Sequence, residues 1–176
     1  MYKPEETTGK KRNVGAEAPS ARVFKNNTQE FIIGMMAQNV QLLVSHFSLH
    51  NKSSKQIIND FEAHFKENTK LNLIVVVNNS FEEIEDFKQK NTIEKTIITQ
   101  DKNGDFAKRF GVGLYGDYYK ENLANGVFLI DKEAQLKYVN YFFDIENSQL
   151  EEIFKTTQET IDFKPKGHAH ENWMGA

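Results

Sequence analysis

Apolar positions along the chain switch repeatedly between strand-like runs and helical spacing. The run VQLLVSHF (residues 40–47) reads as a buried strand, and a polar loop follows over 48–53. Ile57, Ile58, Phe61 and Phe65 then share one helical face, so a helix is expected from Ser54, with Ser53 and Gln56 as its capping box. LNLIVVV (71–77) is the clearest buried strand of the chain. Asn78 and Asn79 end it, and Ser80 with Glu83 caps a helix carrying Phe81, Ile84 and Phe87. Residues 96–99 predict a short strand. Residues 105–110 predict a turn and a half of helix closed by Gly111. Strands follow at 127–130 and 136–143, and Ser148 with Glu151 caps a last helix bearing Leu150, Ile153, Phe154 and Ile161. Ahead of all these, residues 22–24 and 30–33 form a hairpin around Asn26-Asn27.

That order gives two βα units, hence neighbouring parallel strands with right-handed crossovers. The closing ββ pair is antiparallel, so the class is α/β: a central mixed β-sheet flanked by helices, with an N-terminal β-hairpin. The expected organisation is a flexible N-terminus over 1–13, one domain over 14–163, and a flexible tail over 164–176.

Composition narrows the function classes. The 176 residues suffice for one domain with a real core, and 27% charged residues is an ordinary globular mix. A net charge of −3, with basic residues concentrated only at Lys10-Lys11-Arg12, argues against a nucleic-acid partner. No apolar run is long enough to span a membrane and no apolar core marks a secretory signal, so a cytoplasmic protein is expected. Zero cysteines exclude disulfides, iron–sulfur clusters and thiol chemistry. No cofactor is expected.

The strand–loop–helix unit at 40–65 is the natural place for chemistry. A helix N-terminus presents unpaired amides and positive dipole, which suit an anion or a nucleophile of lowered pKa. Here it offers Ser53 and Ser54. A nucleophilic reading would pair Ser54 with His46 or His50 as base; the simpler reading is that the serines start the helix. His46, inside a strand, is expected to be a hydrogen-bonded core residue. His168 and His170, with Glu171, are the weak metal candidates, set against a plain polar tail. Tyr115, Tyr118 and Tyr119 either line a ligand site or cover a loop, and the acidic residues at 82–86 form a solvated helix face.

Over about residues 14–163 the chain also resembles the peroxiredoxins (the alkyl hydroperoxide reductase/thiol-specific antioxidant type), and among them the bacterial thiol peroxidases most. VGAEAPSARV is similar to that family's VGxxAPxF opening, NTIEKTIITQD followed by DFAKRFGV to its GIENVxTxSD and FGKxYGV segments, and NLANGVFLID to its LLARAVFVID strand. The resemblance implies a thioredoxin-like fold. It also implies a site built on Pro, Thr and Cys in the loop-to-helix unit and an Arg before the late strand, where a thiolate attacks peroxide. Matched through Phe47 and Phe61, the Cys position falls on Ser54, with Ser53 one residue away. The Thr position falls on Asn51, the Pro position near Ser48, the Arg position on Asn125, and the resolving Cys at about Lys88. All have changed, and a serine hydroxyl does not climb the sulfenic-acid ladder. The expectation is a catalytically inactive interaction protein whose partner is another protein or a second copy of the chain. The alternatives are a small-molecule or anion binder at the helix end, with Lys52 and Lys55 as its cations, and an enzyme of metal- or hydroxyl-dependent chemistry.

Overall fold

A strand that is apolar on both faces belongs in the middle of a sheet covered on both sides, and Leu71–Val77 lies there. The computed structural model describes residues 7–35, 37–114, 122–142 and 144–164. Its elements run β1 (Thr7–Thr8), β2 (Ser20–Phe24), β3 (Glu30–Gly34), β4 (Val40–Ser45), α1 (Lys52–Phe65), β5 (Leu71–Val77), α2 (Phe81–Asn91), β6 (Ile97–Gln100), α3 (Asp105–Phe110), β7 (Gly113–Leu114), β8 (Asn125–Ile130), β9 (Leu136–Phe142) and α4 (Asn147–Asp162). Seven strands form one sheet in the order β3-β2-β6-β5-β4-β8-β9, with β5 at its centre. β4, β5 and β6 are parallel, while β2, β3, β8 and β9 join antiparallel. The mixed sheet and the N-terminal hairpin expected from the apolar pattern are both present.

Side-chain alternation sorts the core into two layers. Leu42, Val44, Leu73, Val75, Val77, Val127 and Leu129 face α1, α2 and α4 through Ile58, Phe61, Ile84, Phe87 and Ile153. Leu43, Ile74, Val76, Phe128 and Ile130 face α3 and the hairpin. There Phe106 stacks on Phe110 with ring centres 4.5 Å apart, and Phe128 meets Phe110 edge-on at 5.0 Å. No helix among the described residues is long and apolar enough to cross a membrane.

Helix starts differ from the expectation at two places. α1 begins at Lys52, because Asn51 is the N-cap and its side-chain oxygen takes the amides of Ser53 and Ser54. The Ser53–Gln56 box does not form; Gln56 instead bonds Asp60 at 2.9 Å. α4 likewise starts two residues early, where Gln149 reaches back to the Glu146 amide at 2.9 Å, so Ser148 and Glu151 are not its caps. For α1, asparagine is as good a cap as serine, and spacing alone does not choose between two nearby polar candidates. The Ser80–Glu83 box forms as expected.

Residues 7–13, where polarity offers no element, cross the molecule as a strap. β1 pairs with β7, and Lys10 N–H donates to Lys108 O at 3.0 Å. The Tyr141 hydroxyl accepts from Arg12 N–H at 2.9 Å and donates to Phe110 O at 2.6 Å. Gly111 makes this approach possible. It ends α3 at φ 71°, and a Cβ there would lie 2.7 Å from Lys11 N.

One buried carboxylate ties α1 to the segment before β6. Glu62, 6% exposed, accepts from the backbone amides of Glu94, Lys95 and Thr96 and from the Thr96 hydroxyl, at 2.8–3.2 Å. Burial pushes its pKa up, but the hydrogen bonds from Lys95, Thr96 and Glu94 outweigh that and hold it below the ordinary value. In Glu62→Gln the new amide group would face backbone donors. Stability should fall by about 1.5–3 kcal/mol, the worth of hydrogen bonds to a charged group. Because the folded pKa is depressed, the carboxylate's contribution is full above its unfolded value of 4.5 and is lost as pH falls. Urea unfolding should therefore show the variant and wild type converging below that pH.

Candidate functional site

At the end of β4 the chain leaves the sheet for α1, and its backbone is passed from strand to side chains. His46 N–H still bonds Val76 O at 3.1 Å, continuing the ladder to β5. Phe47 is then held by two asparagines. Its N–H donates to Asn125 Oδ1 at 2.8 Å, and its carbonyl accepts from Asn122 Nδ2 at 2.9 Å. Leu49 N–H donates to Asn79 Oδ1 at 3.0 Å, and His50 N–H to Ser48 Oγ at 3.1 Å. Asn51 closes the series, accepting from Ser53 N–H at 2.9 Å and Ser54 N–H at 3.4 Å.

Ser48, Asn51 and Asn125 thus have structural work at this turn. Ser54 lies in the first turn of α1 at 2% exposure, and Asn125 opens β8 at 7%. Ser53 is partly exposed and donates to Asp144 Oδ1 at 2.8 Å. Lys88 stands on α2, where it pairs with Glu85 at 3.4 Å. The only cations within the first turn of α1 are the exposed Lys52 and Lys55.

No serine–histidine dyad forms among the described residues. The exposed His50 pairs through Nε2 with Glu83. That bond, with those from Ser80, holds the Glu83 carboxyl below its ordinary pKa. His46 is in the core as expected, but it is not hydrogen-bonded. It is fully buried, and neither ring nitrogen has a partner. Alternation puts it on the face of Leu42 and Val44, an apolar layer, and burial pushes its pKa down to about 3. The tail histidines His168 and His170 and the tyrosines Tyr115, Tyr118 and Tyr119 lie outside the described residues. Sequence reasoning missed Asn79, Asn122 and Asp144 as loop braces. Asn79 carried a signal, since it sits two residues past the end of the most apolar strand, where backbone groups lose their ladder.

The fold is that of known proteins. A peroxiredoxin-like protein from Aquifex aeolicus is 23% identical, covering 88% of this chain and 91% of its own, with a TM-score of 0.80. A thiol peroxidase from Chromobacterium violaceum is 16% identical over 87% of this chain and 90% of its own, with a TM-score of 0.75. Peroxiredoxin 5 from Alvinella pompejana is 17% identical over 84% and 99%, at 0.67. No protein-family model and no curated protein matches the chain. The chain therefore has the thioredoxin-like fold of the peroxiredoxins, without a cysteine.

His46 makes a direct prediction. Replacing it by leucine removes two buried nitrogens without partners, a burden of about 1–3 kcal/mol, so His46→Leu should raise stability at pH 7.5. The gain should widen at pH 5. The unfolded imidazole takes up a proton below its ordinary value of 6.5 while the folded ring resists until about pH 3, so wild-type stability falls across that interval. Urea midpoints at the two pH values measure both effects.

Proposed function

We propose that this protein is a catalytically inactive relative of the thiol peroxidases that works as an interaction protein. One observation carries the reading: the chain has no cysteine, and the positions matched to the family's Thr and Arg hold asparagines engaged with backbone. A peroxidase needs a thiolate and a cation beside it, whereas Asn125 is neutral and Asn51 spends its acceptor on the helix amides. The surface left for a partner is the exposed rim of the turn, His50, Asn51, Lys52 and Lys55. That partner is another protein or a second copy of this chain.

Anion binding at the start of α1 is the weaker alternative, since Asn51 occupies two of the amides an anion would use. An enzyme of metal-dependent chemistry would have to rest on His168 and His170.

Affinity capture from cells, read by mass spectrometry, should recover a defined partner with the wild-type chain and lose it with Lys52→Glu/Lys55→Glu. Recovery unchanged by that variant would remove the rim from the proposal. The purified protein should consume no hydrogen peroxide with thioredoxin and its reductase. Turnover above the buffer blank that disappears in Ser54→Ala would overturn the reading.

The matched positions also permit a rebuilding test. In Ser54→Cys, burial raises the thiol pKa while the helix N-terminus, worth about 0.3–1 kcal/mol, lowers it, so oxidation should be slow. Adding Asn125→Arg supplies a full charge, which should lower the thiol pKa by about 1–3 and speed sulfenic-acid formation. Asn51→Thr should add a smaller increment. Equal thiol pKa values in the single and double variants would mean that positions 54 and 125 are not neighbours, and the match of family positions to this chain would fail.

A further inference from the structure

A second polar site lies on the other layer of the molecule. Between the β2–β3 hairpin and α3 is a cavity of about 350 Å³, lined among others by Arg22, Ile32, Asn103, Asp105 and Arg109. α3 and the hairpin pack against the layer of Leu43 and Val76, away from α1, so this cavity is separate from the turn described above.

Asp105 organises it. One carboxylate oxygen accepts from Arg22 N–H at 2.8 Å, and the other accepts from Arg109 Nε at 2.9 Å. Arg22 is held in turn through its own Nε, 3.2 Å from Glu30. Each guanidinium is therefore fixed by its Nε edge, and among the described residues neither has a partner at its two Nη groups. Two arginines held by one edge and lining one cavity offer four amino groups to an acceptor. The surroundings add positive charge. Lys102 lies over the Phe24 ring at 5.2 Å, on the same face of β2 as Arg22, so three cations stand against Glu30 and Asp105. Ile32 sits directly across the ladder from Arg22 and is 55% exposed, an apolar patch beside the charges.

We propose that this cavity binds a small organic phosphate monoester, with its phosphoryl oxygens between the Nη groups of Arg22 and Arg109 and its apolar body on Ile32. Guanidinium is suited to phosphate because its planar fork donates two parallel hydrogen bonds. A tetrahedral dianion has enough oxygens for both forks, whereas a single carboxylate satisfies only one. The volume lies in the range of small-molecule pockets. The proposal does not depend on the protein partner inferred above.

The test is an amide-resolved NMR titration of the full chain with phenyl phosphate at pH 7.5 and constant ionic strength. Saturable shifts are expected at Arg22, Asn103 and Asp105, with a Kd of about 1 mM or tighter. Arg22→Gln and Arg109→Gln should each weaken binding about tenfold or more, the scale of one lost charge-assisted hydrogen bond. Both side chains are more than half exposed, so the variants should fold, and a melting curve checks it. Should Arg109→Gln melt early through loss of its pair with Asp105, Arg22→Gln decides alone. Lys70→Gln, in the turn between α1 and β5, should leave the affinity unchanged. Absence of saturation, equal binding of benzoate, an equal loss in Lys70→Gln, or shifts confined to residues 51–55 would each overturn the proposal.

Discussion

Backbone polarity at the ends of buried strands is the constraint that orders this molecule. β4 and β8 are buried along their whole length and β5 nearly so, so amides just beyond them still lie away from water. An unpaired buried amide costs as much as several good contacts gain. The chain answers with side-chain oxygens placed at each exit. Asn125 and Asn79 take up the turn after β4, and Glu62 takes up the segment before β6. Asp101, itself buried, accepts from the first amides of α3 at 2.9 Å.

The same constraint accounts for the asparagines at the turn. A buried arginine at position 125 would need an anionic partner to neutralise it. Without one it is an unpaired charge in a low-dielectric place, and several kcal/mol would be needed to hold it there. Asparagine is neutral and carries both a donor and an acceptor, so it meets the backbone demand at Phe47 with no charge to desolvate. At position 51 an amide oxygen caps α1 as well as a threonine hydroxyl would.

The layout of the sheet was legible because its strands are long in β-branched residues and its helices repeat every three to four positions. Leu71–Val77 and the Ser80–Glu83 box appear as read. What stayed hidden depends on contacts between distant segments. Asn51 and Ser53 are equal candidates for a cap until the path of the turn is known. Glu62 reads as one more polar residue on a helix, and only its position against residues 94–96 reveals the clip. His46 shows the opposite limit: burial was plain from the strand, but the lack of any partner for its ring was not. Arg22 and Arg109 are separated by most of the domain in sequence, and only Asp105 brings their role into view.

The strap over residues 7–12 has a meaning for the order in which the molecule assembles. Its hydrogen bonds join residues 97 and 129 positions apart, to groups on α3 and β9 that do not exist as surfaces until the sheet is complete. Closing so long a loop is not itself prohibitive, since each doubling of length adds only about 0.6 kcal/mol. The delay comes from the missing template. The strap therefore docks on a surface that only the assembled sheet and α3 provide, and its detachment would leave the end of α3 open to solvent.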